Sequence, residues 1–473
     1  MTGAGADGDG VHTGHRDDMA CADSPRRTPS HRGLVLGAAT LGFSVIQLDV
    51  SVVNVAVKSI GTALGGGVTG LQWVIDAYTL TFAALILSAG ALGDRRGARR
   101  VMLGGFALFT LASAGCGLVP SIGALIAARA VQGIGAAALG ACSLALLNHT
   151  YPEPAQRARA VGVWTAGGAA ALAAGPLLGG LLIAAVGWRS IFFINLPLGA
   201  IGYWLTLRYA TETAPAPGRD ADLLGQLAAV AALFSLAAAT IQAGSTGFKT
   251  PLVLGGYALT VITGTAFVVI ERGRAQPMLP LWLFRTRAFS AAACAGLLIN
   301  VVFYGLIFAF SLFLQRYEGF SPLSAGLAFL PVTVFIMASD LGAGRAILAF
   351  GTRSVGTAGA LFMGAGCLVM MGVLAARVPA LVTALVAALT VTGFGIGLAV
   401  TAITSALLGS VDESRSGIAS GALTAFRQTG SVLGVAVFGS LFAGLGATGG
   451  LELASAISVG LIAAVVAAVR WPL

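Results

Sequence analysis

The chain has 473 residues, of which 57% are hydrophobic and 10% charged, with a mean hydropathy of +0.91 and a formal charge of +9. No soluble domain has this balance. Apolar runs near the length of about 20 residues that spans a bilayer recur throughout, so the chain reads as a polytopic membrane protein. The positive charge does not mark a nucleic-acid binder, because the basic residues are dispersed among short connectors between apolar runs.

Residues 1–32 are polar and charged and are expected to form a disordered cytoplasmic tail. The first apolar run, Leu34–Val57, exceeds the core of a cleaved leader and is expected to remain as a helix. Further spans are predicted at 71–92, 101–119, 121–149, 160–186, 191–209, 223–243, 251–270, 289–314, 323–348, 356–376, 379–408, 417–445 and 453–470. That makes about fourteen transmembrane helices in an all-α chain. Residues 210–222, ATETAPAPGRDAD, carry proline and charge without an apolar run and read as a cytoplasmic linker. Residues 271–288 form a second basic cytoplasmic connector. The expected division is a six-helix half at 33–209, two inserted helices at 223–270 and a second six-helix half at 289–473. Paired halves place a substrate site between them near mid-membrane.

Charge sets the expected orientation. With the N-terminus in the cytoplasm, Arg95, Arg96, Arg99, Arg100, Arg157, Arg159, Arg208, Arg219, Arg272, Arg274, Arg285, Arg287, Arg353, Arg415 and Arg470 all fall inside. Only Lys58, Arg189, Lys249, Arg316 and Arg377 fall outside, and an even number of spans puts both termini in the cytoplasm. The five cysteines form no C-x-x-C pair, and neither H-E-x-x-H nor G-x-x-x-x-G-K-[ST] occurs. No metal, cofactor, ATP site or enzymatic cluster is therefore expected.

Charges inside spans cost roughly 2.5–3.5 kcal/mol each on insertion scales and read as functional by default. Asp49 lies deep in the first run, in LDVSVVNVAV. Desolvation favours a neutral acid there, suited to carrying a proton, whereas a salt bridge with a buried arginine would keep it ionised. Asp76, in QWVIDAYTL, is either a second coupling acid or an interfacial cap. Arg129, in the fourth span, needs an acidic partner, either Asp49 or Asp76. Asp340 reads as a structural partner of Arg345.

Gly90–Met102, GALGDRRGARRVM, is a dense charge cluster between two spans. Gly90 and Gly93 share a helix face that lets a neighbour approach, Asp94 ends that face, and Gly97 permits a turn that a side chain resists. Taken alone, the four arginines Arg95, Arg96, Arg99 and Arg100 also fit a simple positive-inside loop. Gly344–Arg345 and Gly351–Thr352–Arg353 form a weak echo of it in the later half. In Gly175–Pro176–Leu177–Leu178–Gly179–Gly180, proline bends a membrane helix and the glycines allow close contact.

These stretches resemble the major facilitator superfamily. Gly90, Leu92, Asp94, Arg95, Gly97, Arg99 and Met102 match its motif A, with Gly93 and Ala98 departing from it. ARAVQG (128–133) resembles motif B with Arg129 in the basic position, and Gly162, Gly175, Pro176, Gly179 and Gly180 resemble the antiporter motif C, with Ala171 in place of a usual glycine. LDVSVVNVAV with Asp49, QWVIDAYTL, WRSIFFINLPLG (188–199) and the 416–440 stretch holding Arg427 and Gln428 resemble the fourteen-helix drug:proton antiporter group.

The resemblance implies proton-driven export of small, largely apolar or cationic molecules such as antibiotics by alternating access. It also implies a gating role for Asp94 at the cytoplasmic end and a sealing role for the Pro176 stretch. The expected partners are a small-molecule substrate, protons and the lipid bilayer of the cell membrane, with no nucleic acid and no ATP, and the chain is expected to act as a monomer. A proton-coupled uptake symporter of the same fold is the alternative, and a non-transporting membrane sensor a third reading.

Overall fold

Runs of Ala, Leu, Val and Gly that enter lipid must satisfy their backbone groups internally, and helix is the form that does so within one segment. The computed structural model describes residues 29–214, 222–274, 277, 279, 281–376, 380–409 and 416–470. Among the described residues there are helices and no strands. In chain order they are α1 (Pro29–Leu64), α2 (Gly67–Arg96), α3 (Ala98–Leu118), α4 (Ile122–Thr150), α5 (Pro154–Val186), the short α6 (Ser190–Phe193), α7 (Asn195–Tyr209), α8 (Leu223–Thr246), α9 (Pro251–Gly273), α10 (Arg287–Leu312), α11 (Pro322–Phe350), α12 (Thr352–Ala376), α13 (Leu381–Gly409) and α14 (Ser416–Arg470). A 3-10 turn, Leu281–Arg285, precedes α10, and a π turn, Phe313–Tyr317, ends it.

Thirteen stretches of the described residues are long and apolar enough to cross a bilayer, with α6 and α7 making one crossing together. The last, in α14, is broken at Gly446 (φ 76°, ψ −178°), a conformation open to glycine alone, so one helical stretch crosses twice and the fold has about 14 membrane helices. The sequence placed an interruption at residues 446–452; a single glycine suffices. At the other end, α1 starts at Pro29, ahead of the apolar run, and the rest of the expected tail lies outside the described residues. So do 215–221 of the linker, parts of the 271–288 connector, and Arg219, Arg377 and Arg415.

Helix pairing repeats along the chain. In the first set α1 packs on α5, α2 on α4 and α3 on α4; in the second α10 packs on α14, α11 on α13 and α12 on α13. The turn from α2 to α3 at Gly97 (φ 95°) has a counterpart from α11 to α12 at Gly351 (φ 81°), which is where the sequence echo lies. Between the sets, α8 leans on α2 and α14, while α9 packs on α8 and shows Leu252, Val261 and Ile262 on its outer face.

Candidate functional site

A cavity of about 1860 Å³ lies between the two sets of helices. Its walls include Phe43 and Trp164, which stack at 4.0 Å between ring centroids, and Phe303 and Phe329. It opens at the end that carries Asp94 and Arg95, where Asn148, Arg157 and Ser405 border it. The opposite end is closed by contacts between the sets, three of which are these. Ser311 Oγ on α10 donates to the Asn54 carbonyl on α1 at 2.6 Å. Gln72 Nε2 on α2 donates to the carbonyls of Val435 and Ala436 on α14 at 3.2 and 3.0 Å. The third contact joins α5 to α11.

That third contact is made by the glycine–proline stretch. A methyl group at Gly180 would lie 2.8 Å from Leu323 Cα and 3.0 Å from the Pro322 carbonyl, and one at Gly326 would collide with the Pro176 carbonyl. On the other side of α5, Gly175 and Gly179 let Ser51 and Val52 of α1 approach. Gly162 takes no part, with open space around it. Gly180→Val is expected to hold α5 and α11 apart and to cost most of the transport rate while the protein still reaches the membrane; unaltered transport would show that this seal need not close.

At the open end, motif A is a tight corner between α2 and α3. Gly93 faces Cys142 and Gly90 faces Ala141, so α4 packs directly on the C-terminal part of α2. The segment after α7 folds back over this corner. Glu212 Oε1 accepts from the Arg99 backbone N–H at 3.0 Å, Thr213 Oγ1 accepts from that of Ala98 at 2.8 Å, and Glu212 lies 3.6 Å from Arg100 Nε. The carboxylate thus caps the positive end of α3, and Gly97 has no room for a side chain because Glu212 occupies it. Arg99 also donates to the Leu207 carbonyl at 2.7 Å. The sequence showed why Gly97 needs conformational freedom, but nothing in it linked Glu212 to the corner.

Deep in the first set, Asp49 and Arg129 are both about 1% exposed and form an ion pair, which settles the choice of partner for Arg129. Asp49 Oδ1 also accepts from Gln132 Nε2 at 2.9 Å and from Asn195 Nδ2 at 3.0 Å. Arg129 Nε donates to the Val74 carbonyl at 3.1 Å, its terminal nitrogen to Gln132 Oε1 at 2.6 Å, and its guanidinium lies 4.2 Å from the Tyr78 ring centroid. Ser113 Oγ ties Gln132 and Asn195 together. Every oxygen of this carboxylate has charged or amide donors, the arrangement that makes a buried ion pair tolerable. Gln132 and Asn195 were within stretches whose resemblance was noted, but only the folded chain brings them to Asp49.

Asp76 is not an interfacial cap. It is fully buried, and neither carboxyl oxygen has a hydrogen-bond partner among the described residues. One turn before it, Gln72 bonds to α14; one turn after it, Leu80 packs against Ala237 of α8 and Val432 of α14. Residues at i and i+4 share a helix face, so Asp76 faces the seam where α2 meets α8 and α14, away from Arg129. The C-terminal wall of the cavity carries Arg427 and Gln428, and Asp340 as well. Asp340 does not pair with the exposed Arg345; it accepts from Thr401 Oγ1 at 2.8 Å. The sequence placed Asp340 near Arg345 on one helix, but the turn of α11 directs the two side chains apart.

A fold of about 14 membrane helices, arranged as two repeating sets around a cavity open at one end, defines a polytopic transport protein. Residues 39–435 match the sequence profile of the Major Facilitator Superfamily. The chain is 39% identical over 419 residues to "Multidrug resistance protein Stp" of Mycobacterium tuberculosis (strain ATCC 25618 / H37Rv), covering 87% of this chain and 76% of that protein. It is 38% identical over 418 residues to "Methylenomycin A resistance protein" of Streptomyces coelicolor (strain ATCC BAA-471 / A3(2) / M145), covering 88% and 87%. Among solved structures, a bacterial homolog of the human lysosomal transporter Spinster, inward-facing and unoccupied, has the same fold at a TM-score of 0.65 and 17% identity, covering 94% of this chain and 97% of that one. The chain belongs to the major facilitator superfamily and is a multi-pass membrane protein.

Proposed function

We propose that this protein is a proton-driven antiporter that exports small, largely apolar molecules, antibiotics among them, from the cytoplasm. Two six-helix halves rock about the central cavity, and the Asp94–Arg100 corner faces the cytoplasm together with both termini. The observation that carries this reading is the contrast between two buried acids. Asp49 is saturated by Arg129, Gln132 and Asn195, whereas Asp76, at the seam between α2, α8 and α14, has no hydrogen-bond partner among the described residues. An ionised carboxylate left unpaired in a dry interior is costly, so Asp76 is held as the neutral acid in this state. Opening the far end parts Gln72 from α14 and lets water reach the seam, where Asp76 takes up a proton from outside; with the cavity open to the cytoplasm, substrate entry drives release of that proton to the cytoplasmic side. Proton binding therefore favours the cytoplasm-open form and proton loss the other, which by linkage ties transport to the proton gradient. The resistance proteins at 39% and 38% identity support a drug-sized substrate.

The test is a susceptibility panel with the gene expressed in a host lacking its own drug pumps. Raised tolerance to at least one apolar antibiotic or dye, lost when an uncoupler collapses the proton gradient, is the expected result. Tolerance that survives the uncoupler would remove the proton from the mechanism. Sensitisation, from uptake in place of export, would favour the symporter reading.

A further inference from the structure

Arg129 and Arg427 both lie in membrane-spanning helices, and they are in opposite conditions. Arg129 is closed on every side by Asp49, Gln132, the Val74 carbonyl and the Tyr78 ring. Arg427, on α14, lines the central cavity, and its guanidinium makes no hydrogen bond or ion pair among the described residues. Its Nε is buried with no acceptor.

Tyr304 and Asp340 lie near enough to act on it through charge, but neither is hydrogen-bonded or ion-paired to it among the described residues. Asn300 Nδ2 donates to the Gly296 carbonyl at 2.8 Å and its Oδ1 accepts from Ser431. Asp340 is engaged by Thr401. Gly296 gives the Arg427 stem its place: a methyl group there would lie 3.1 Å from the Arg427 Cγ, so the stem lies flat on α10. A charged fork with unmet donors in the wall of a cavity of about 1860 Å³, among aromatic side chains, is built to receive an acceptor from the cavity.

We propose that Arg427 is a substrate-binding residue and that the cavity takes apolar molecules bearing a carboxylate, which pairs with its guanidinium while the rest of the molecule lies against the Phe303 and Trp164 surfaces. This rests on the export reading for its consequence but concerns binding alone. It shifts the substrate class from cations towards acids.

The probes are 1-naphthaleneacetate and its neutral amide, titrated calorimetrically into the purified protein. The wild type is expected to bind the acid about tenfold or more tightly than the amide, the scale of a charge-assisted hydrogen-bond pair. In Arg427→Gln the acid-to-amide ratio is expected to fall to near one, and in Arg427→Lys a preference for the acid is expected to remain. A wild-type ratio near one, or a ratio undiminished in Arg427→Gln, overturns the proposal.

A second measurement needs no variant. The acid, and not the amide, is expected to slow modification of Arg427 in the wild type by phenylglyoxal, read by peptide mass spectrometry, and equal protection by both also overturns it. Efflux of 1-naphthaleneacetate, its amide and ethidium by the wild type reports on export separately. Efflux without acid preference removes this proposal only, and acid preference without efflux of any compound removes only the export reading.

Discussion

Asp76→Asn is expected to reduce proton release on substrate addition to background and to abolish efflux driven by a pH gradient. The substitution keeps the size and polarity of the neutral acid that the α2, α8 and α14 seam accommodates, so packing around Gln72 and Leu80 is retained. What it removes is the proton and with it the coupling between the seam and the gradient. Substrate binding in the cavity is expected to persist, since Asp76 does not line it. The measurement compares purified wild type, Asp76→Asn and Asp49→Asn in lightly buffered detergent solution. Release that is intact in Asp76→Asn and lost only in Asp49→Asn would return proton carriage to the first helix.

The second large effect concerns stability. Arg129→Met is expected to destabilise the folded protein by about 3–5 kcal/mol, because it leaves the Asp49 carboxylate buried with two amide donors and no counter-charge. Asp49→Asn leaves Arg129 in the converse position and is expected to cost a similar amount. The double variant Asp49→Asn, Arg129→Gln removes both charges while Gln132, Asn195 and Ser113 continue to offer hydrogen bonds. It is expected to recover most of the loss in thermal unfolding of the purified protein. A double variant no more stable than either single one would mean that the pair is not the source of the loss.

Much of this architecture was legible in the sequence because the bilayer imposes a hard rule on length and polarity. Hydropathy alone located the spans, and the glycines at Gly97 and Gly180 announced a turn and a close approach that the folded chain uses in those ways. The rare charges inside spans, Asp49, Asp76, Arg129 and Asp340, stood out for the same reason: burial in lipid makes each of them costly.

Tertiary structure decided which of those charges are satisfied. Asp49 meets Arg129 at a separation of 80 residues and Asn195 at 146, while Asp76, on the second span, has no hydrogen-bond partner among the described residues. The spacing of residues along a helix fixes which face a side chain occupies, but not which helix lies against that face. That is set by how α2, α8, α10 and α14 pack, through contacts such as Gln72 with Val435 that span 363 residues. The same packing placed Glu212 over Gly97, turned Asp340 from Arg345 to Thr401, and left the guanidinium of Arg427 at the cavity without an acceptor among the described residues.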